Sequence, residues 1–267
     1  MVFVPLTGQR YDMPAMFGPS PVPDRTVIGD AHAIVLSFPT SRAAAGKMLP
    51  GHFRLPEAVT ASISYVSYQN VDYLGGRAYN EIVVSINAEH GDGDDAIVAG
   101  FAPILWVNKV GALIAGREYM GLGKLFGTIP DAAVGESEAS FTCYEEDALL
   151  LRAGASSLRR LAPEAVQRVN DKAGEVRTFG WKYIAAPGGG SDLDYPLINV
   201  MRWDYRDAWS GEGSIEWLTP DRLAAPFSSA ALAVLSALPI EGSVRAFRGT
   251  GRAIIDRTAT RRLAART

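Results

Sequence analysis

The chain alternates between short runs of β-branched, aromatic and small polar residues and turns rich in glycine or proline. Residues 60–68 and 79–86 have the valine, isoleucine and tyrosine content that is typical of strands. Residues 96–107 form one continuous apolar run, and Gly100 and Pro103 within it favour a strand over a helix. The first half of the chain is therefore predicted to be rich in strands.

The remaining elements follow the same pattern. We predict further strands over residues 33–38, 139–144, 148–152, 178–185, 197–205 and 244–256. Helices are predicted over residues 42–49, 108–118 and 228–238. Because there is no sequence repeat and no βαβ rhythm, we expect one α+β, β-rich domain over residues 1–267. Within it, the proline-rich residues 1–25 are expected to form an extended arm packed on the domain, and the basic residues 257–267 a flexible tail.

Composition narrows the function classes. The 267 residues are 48% apolar and 21% charged with a net charge of −3, which lacks the basic excess of a nucleic-acid-binding protein. The single cysteine, Cys143, excludes an internal disulfide and a cysteine-rich metal site. No run approaches the roughly 18 apolar residues of a membrane span, and the start does not resemble a signal peptide. We therefore expect a cytoplasmic protein with no nucleic-acid or membrane partner.

Common cofactor and metal motifs are missing from the sequence. It contains no dinucleotide-binding glycine motif, no P-loop, no H-E-x-x-H and no G-x-S-x-G. The three histidines, His32, His52 and His90, lie in separate segments without the spacing of metal ligands. We predict neither a metal site nor a cofactor.

One lysine stands out. Of 26 basic residues only five are lysines, and Lys124 lies in a glycine-rich apolar stretch that includes Leu122, Leu125 and Phe126. An amine that sheds its proton and attacks a carbonyl carbon has to be a lysine, because arginine stays charged. Apolar surroundings favour the neutral, nucleophilic form of that amine. The alternative is an ordinary surface lysine at a glycine turn.

Two carboxylates accompany this lysine. Arg117 and Glu118 follow an apolar run, and burial of such charges is costly unless they are paired. Glu81 lies in the predicted strand over residues 79–86 and is a second candidate for the interior, with a solvent-facing position as the alternative.

These residues resemble the acetoacetate decarboxylase family. Gly116-Arg117-Glu118, with Lys124 following in a glycine-bearing loop, is similar to the family signature. The likeness extends in chain order over residues 13–256, through Pro14–Pro19, Tyr79-x-Glu81, Pro196–Asn199, Asp207–Gly211 and Gly251–Asp256. The resemblance implies a closed antiparallel β-cone with a few flanking helices, a homo-oligomer, and a Lys124 that forms a Schiff base with a keto substrate.

Three departures from the family pattern bear on function. Leu125 stands where family decarboxylases have a second lysine. The region 33–38 lacks the arginine that meets the substrate carboxylate in the family, and residues 60–71 lack a further glutamate. The resemblance therefore supports imine chemistry more strongly than decarboxylation of acetoacetate itself.

The resulting prediction is a Schiff-base lyase that acts on a keto acid, aldehyde or ketone. Lys124 would be the nucleophile and Glu81 the acid or base, while Tyr119 and Met120 would line the pocket. Glu118 would either pair with Arg117 to shape the loop or reach the substrate. Decarboxylation of a β-keto acid, an aldolase-dehydratase reaction and tailoring of a natural product all remain open. A protein of another class, a non-catalytic small-molecule binding module on the same scaffold, is the further alternative.

Overall fold

A computed structural model describes residues 3–93 and 96–264 of the chain. Within these residues the elements follow one another as β1 (Arg25–Pro39), α1 (Arg42–Gly46), β2 (Thr60–Val71), β3 (Arg77–His90), β4 (Ile97–Val107), α2 (Val110–Met120), β5 (Lys124–Phe126), β6 (Ala133–Val134), β7 (Ala139–Glu145), β8 (Ala148–Arg160), α3 (Pro163–Ala173), β9 (Glu175–Ala185), β10 (Ser191–Trp217), α4 (Ser229–Leu235) and β11 (Arg245–Arg262). Short 3-10 helices cover Ala15–Phe17 and Asp72–Leu74.

Seven strands close into a ring. Their order is β11-β1-β2-β3-β4-β9-β10, and β10 pairs again with β11. Neighbours in the ring are antiparallel, except for the short parallel pairing of β4 with β9. The 27 residues of β10 let its first part pair with β9 and its last part with β8, which leads on to β7 and β6 outside the ring. The predicted closed antiparallel β-cone with a few helices is confirmed.

Both faces of the central strands are buried, which explains their nearly continuous apolar sequence. On β3, Ile82 and Val84 face an outer core that includes Trp106, Leu150 and Leu232. The alternate residue Tyr79 faces an inner core enclosed by the ring, together with residues from β1, β2, β4, β10 and β11. Because side chains alternate along a strand, Glu81 shares the inner face with Tyr79. The sheet therefore carries one carboxylate into an otherwise apolar interior.

The predicted strands are present, and several are longer than predicted. The stretch 197–205 is part of the 27-residue β10, and 148–152 is the first part of β8. Helix α3 was not predicted. It begins with Pro163 in its first turn, and Val166 is its only buried residue. The apolar stripe by which an amphipathic helix is predicted is therefore short.

The two chain ends differ from one another. The described part of the arm, residues 3–24, precedes β1 and contacts the domain through Asp12, which accepts a hydrogen bond from Tyr119. The prediction of a flexible tail from residue 257 onward is wrong for its first part, because β11 continues to Arg262 by pairing with Leu197 and Ile198 of β10. Residues 265–267 of that tail and residues 1–2 of the arm lie outside the described residues. None of the described helices has the length and apolar character needed to cross a membrane.

Candidate active site

A buried ion pair joins β3 to β5. The Lys124 amine (Nζ) lies 2.8 Å from Oε2 of Glu81, and each residue is only 5% exposed. Glu81 lies on the inner face of β3. Lys124 is the first residue of β5, which pairs in parallel with β4, and its partner there is Leu105. This close contact compensates in part for the removal of both charges from water. Replacement of either partner alone would leave a buried charge without its counter-charge.

The loop between α2 and β5 brings the lysine to this position. Helix α2 ends at Met120, and Gly121 follows in the left-handed region with φ of 59°, which a residue with a side chain rarely adopts. A Cβ at Gly123 would lie 2.8 Å from the Pro103 carbonyl oxygen, so glycine allows the loop to approach β4 closely. The glycines of this stretch thus turn the chain back against the sheet.

Gly116 forms one wall of the lysine site. A Cβ built at Gly116 would lie 2.5 Å from Cε and 2.6 Å from Cδ of Lys124, well inside ordinary van der Waals contact. The bare backbone of α2 therefore packs directly on the aliphatic part of the lysine side chain. This contact fixes the direction in which the amine points.

Two tyrosines surround the pair. The Tyr68 hydroxyl donates to Oε1 of Glu81 at 3.3 Å, its ring packs 4.8 Å from that of Tyr79, and Nζ of Lys124 lies 5.9 Å from the Tyr79 ring centre. Burial, followed by the negative charge of Glu81, raises the pKa of both hydroxyls well above the ordinary value of 10.0. Both tyrosines therefore remain protonated, and Tyr68 serves as a hydrogen-bond donor to the carboxylate.

A cavity of about 320 Å³ lies inside the ring next to the pair. Glu81 and Tyr68 line it at one end together with Met120 and Leu122 of the α2–β5 loop. Asn199 of β10 also lines it, and its amide donates to the Met120 carbonyl at 2.9 Å while its oxygen accepts from Thr260. The amide therefore fixes this loop to the ring. A small organic molecule in the cavity would contact Glu81 directly.

The other predicted site residues divide into two groups. Met120 lines the cavity, whereas Tyr119 faces the opposite way, towards the arm, where its hydroxyl donates to Asp12 and its ring lies 5.2 Å below the Arg10 guanidinium. This hydrogen bond explains why Tyr119 does not line the cavity as predicted. Burial first and the bond to Asp12 second raise the pKa of Tyr119 to about 12.

Arg117 and Glu118 contact the loop and the arm rather than the charged groups of the ion pair. Arg117 is exposed and donates to the Lys124 carbonyl at 3.0 Å, so it braces the loop without pairing with Glu118. Burial, followed by the charge of Asp12, raises the pKa of Glu118, which interacts with the arm at Met13. Lys182 of β9 donates to the Glu118 carbonyl oxygen. Glu118 therefore joins the loop to the arm in this structure.

Two arginines lie where β1 meets β11. Arg25, the first residue of β1, pairs with Asp256 at 2.7 Å. Arg257 is 5% exposed, and its Nη1 donates to the Pro23 carbonyl and to the Thr26 hydroxyl. Burial lowers the pKa of Arg257, and within the described residues its Nε has no hydrogen-bond partner. Sequence reasoning missed this buried cation because it assigned Arg257 to the tail.

Metal ligands do not cluster in the described part of the chain. Across residues 3–93 and 96–264, no group of three or more His, Cys, Asp or Glu side chains is placed to hold a metal ion. The buried Cys143 lies in the outer core, and burial, followed by the charge of Glu145, raises the pKa of its thiol.

The buried lysine–glutamate pair at an internal cavity can be compared with known proteins. The acetoacetate decarboxylase (ADC) family matches residues 12–253. The chain belongs to the acetoacetate decarboxylase family. Enzymes of this family are lyases. A search of curated proteins gives no match.

Solved structures agree with this assignment at the level of the fold. An acetoacetate decarboxylase from Legionella pneumophila is 16% identical with a TM-score of 0.71, covering 90% of this chain and 87% of that one. An acetoacetate decarboxylase-like enzyme from Sphingomonas wittichii RW1 is 20% identical with a TM-score of 0.66, covering 93% and 96%. The enduracididine biosynthesis enzyme MppR, complexed with pyruvate, is 14% identical with a TM-score of 0.68, covering 97% and 99%.

Proposed function

We propose that the protein is a carbon–carbon lyase in which Lys124 forms a Schiff base with a keto acid or a related carbonyl compound. The observation that carries this proposal is the buried contact of 2.8 Å between the Lys124 amine and Glu81 at the edge of an internal cavity. An amine held against a carboxylate in a buried site has a proton acceptor in place, and a lysine with such an acceptor is a nucleophile for carbonyl carbon.

The pair supplies the proton transfers that imine formation needs. The Lys124 ammonium passes one proton to the Glu81 carboxylate, and the neutral amine attacks the carbonyl carbon. Glu81 then returns the proton to the carbinolamine oxygen, which leaves as water, and a protonated imine remains. Tyr68, which donates to Oε1 of Glu81, holds the carboxylate in place during both transfers.

Decarboxylation of a β-keto acid completes the favoured cycle. The electrons of the bond between the α-carbon and the carboxyl carbon move into the imine, which releases carbon dioxide and leaves an enamine. Glu81, which gave up its proton during imine formation, takes up another from the solvent and transfers it to the enamine carbon, and addition of water to the resulting protonated imine releases the ketone and regenerates Lys124. No cofactor is needed, because the protonated imine itself accepts the electron pair.

An aldolase-dehydratase reaction through the same imine is the second candidate. Two observations favour it: Leu125 follows the nucleophile instead of a second cation, and MppR has also been crystallised with the condensation product of pyruvate and imidazole 4-carboxaldehyde. In this reaction Glu81 removes a proton from the carbon next to the protonated imine, so the enamine forms without loss of carbon dioxide. The enamine then attacks the aldehyde carbon, the aldehyde oxygen takes the proton from Glu81, and loss of water follows. Release of carbon dioxide separates the two reactions.

Reductive trapping tests the proposal. The protein is incubated with pyruvate, acetoacetate or a longer β-keto acid, reduced with borohydride, and its intact mass is measured. We expect a mass gain in the wild type that disappears in Lys124→Ala and persists in Lys109→Ala, which alters an exposed lysine before α2. Reversible binding of these compounds without an adduct would instead indicate a non-catalytic binding protein.

A further inference from the structure

The cavity continues well beyond the ion pair. On β3 the inner-face residues that line it are Glu81, Val83 and Ser85, and their partners on β2 are Val66, Ser64 and Ser62 in the same order. Ser85 lies four positions after Glu81 on this strand. At a rise of about 3.3 Å per residue, the cavity therefore runs about 13 Å along the strands.

The walls of this cavity are apolar over most of that length. The aromatic residues Tyr68, Trp203 and Tyr205 line it together with apolar residues: Val35, Val66, Val83, Leu105, Met120, Leu122 and Met201. The polar side chains at the far end are small and uncharged. Of the described residues that line the cavity, only Glu81 and Arg177 carry charge, and Arg177 is exposed and pairs with Glu175 at 2.9 Å.

The dimensions exceed what a three- or four-carbon keto acid fills. A volume of about 320 Å³ corresponds to about ten water molecules at roughly 30 Å³ each. A four-carbon chain spans less than about 6 Å at bond lengths of about 1.5 Å. With its carbonyl at Glu81, such a molecule would end near Val83, and the remaining space, whose walls are mostly apolar, would be left to water.

We infer that the substrate carries a large apolar group, an aryl or medium-length alkyl chain, beyond its carbonyl carbon. The position of the substrate's carbonyl group rests on the proposed function, whereas the presence of the apolar group is inferred from the cavity alone. The group lies among the aromatic residues and Val83, and its end reaches the level of Ser85 and Ser62. Apolar burial supplies the affinity, at about a fourfold gain for each buried methylene.

A series of methyl ketones with one shared head group tests the size of the substrate. Acetone, 2-heptanone and 4-phenyl-2-butanone are each incubated with the protein and trapped with borohydride. We expect the concentration for half-maximal adduct to be at least about 30-fold lower for 4-phenyl-2-butanone than for acetone, because several carbons are buried. Equal concentrations for the two ketones, or a preference for acetone, would overturn the inference.

Two matched valine variants locate the effect. Val83→Phe fills the cavity between Glu81 and Ser85. We expect the ratio of the half-maximal concentration of acetone to that of 4-phenyl-2-butanone to fall towards 1. Val98→Phe adds the same bulk on β4, where Val98 is 58% exposed, and we expect the wild-type ratio. Val35→Phe, on the β1 side of the cavity, gives a second test if Val83→Phe does not fold. An unchanged ratio in the folded cavity variant contradicts the inference.

An unreactive ligand separates this inference from the proposed function. 4-Phenyl-2-butanol has no carbonyl group, so its binding requires the cavity but no imine, and Trp203 in the wall reports it by fluorescence. We expect a saturable change that is absent in Trp203→Phe and in Val83→Phe. If no ketone gives an adduct but the alcohol still binds in this way, the Schiff-base proposal fails and the apolar cavity site stands. If the alcohol does not bind, the inference is overturned even where small ketones are trapped.

Discussion

Gly116 allows the position of the Lys124 amine to be tested without removal of any catalytic group. In Gly116→Ala the new Cβ would lie 2.5 Å from Cε and 2.6 Å from Cδ of Lys124, whereas ordinary contact begins at 3.4 Å. The lysine side chain or the helix must therefore move by about 1 Å. A displacement of this size in a reacting group costs about 100-fold in rate.

The effect on stability should be small by comparison. Alanine is favoured over glycine within a helix by about 1 kcal/mol, and a tight core contact costs about 1–3 kcal/mol. These terms oppose each other, so we expect the free energy of unfolding to change by no more than about 2 kcal/mol. The combination of a large loss of rate with a nearly unchanged fold is what distinguishes displacement of the amine from general damage.

Gly111→Ala is the matched control in the same helix. Its Cβ would meet only the tip of the Leu74 side chain, at 2.7 Å, which can rotate away. The assay is the rate of borohydride-trapped adduct, with thermal unfolding measured in parallel. We expect a loss of about 100-fold in Gly116→Ala and less than about threefold in Gly111→Ala. A folded Gly116→Ala variant that forms adduct at the wild-type rate would refute the assignment of this contact.

Three further predictions concern the groups around the pair. Lys124→Met leaves the Glu81 carboxylate buried without its counter-charge and should destabilise the fold by about 3–5 kcal/mol. Addition of Glu81→Gln to the same chain should restore part of this stability, which thermal unfolding of the single and double variants will measure. Tyr68→Phe removes the 3.3 Å hydrogen bond to Glu81 and should slow adduct formation by up to about tenfold while the protein stays folded; a rate above that of wild type contradicts a holding role. The raised pKa of Tyr119, about 12 against 10.0, means that its protonated hydroxyl stabilises the fold fully below pH 10 and that this contribution is lost as pH rises through about 12. Unfolding temperatures should therefore fall more steeply across that window in wild type than in Tyr119→Phe, and parallel curves would contradict the raised pKa of Tyr119.

The strands could be predicted because their signals are local. The run over residues 96–107 is apolar on both faces and too rich in breakers for a helix, and β4 occupies it. The end of β11 could not be predicted in this way. Residues 257–262 are basic and polar, and they form a strand only because β10, some 60 residues earlier in the chain, offers an edge to Arg261 and Arg262.

The site was predictable only in part. Nothing in the spacing of Glu81 and Lys124, which lie 43 residues apart, brings them together, and the resemblance to a family supplied that pairing. Tyr119 was expected to line the pocket together with Met120. Adjacent helix residues point in different directions, however, and Asp12 of the arm provides a partner on the opposite side from the cavity. Contacts of this kind depend on packing that one sequence does not encode locally.

Location of the adduct on the chain tests the Schiff-base proposal most directly. Trypsin cleaves after Arg117, Lys124 and Arg152, so the unmodified protein yields peptides 118–124 and 125–152. A reduced imine on Lys124 blocks the middle cleavage. After treatment with pyruvate, acetoacetate or 4-phenyl-2-butanone and borohydride, we expect one peptide spanning residues 118–152. It should carry the mass of the bound carbonyl compound less one oxygen atom, because imine formation loses water and reduction adds two hydrogens. A modification found instead on Lys109 or Lys182, with peptides 118–124 and 125–152 intact, would contradict the role of Lys124.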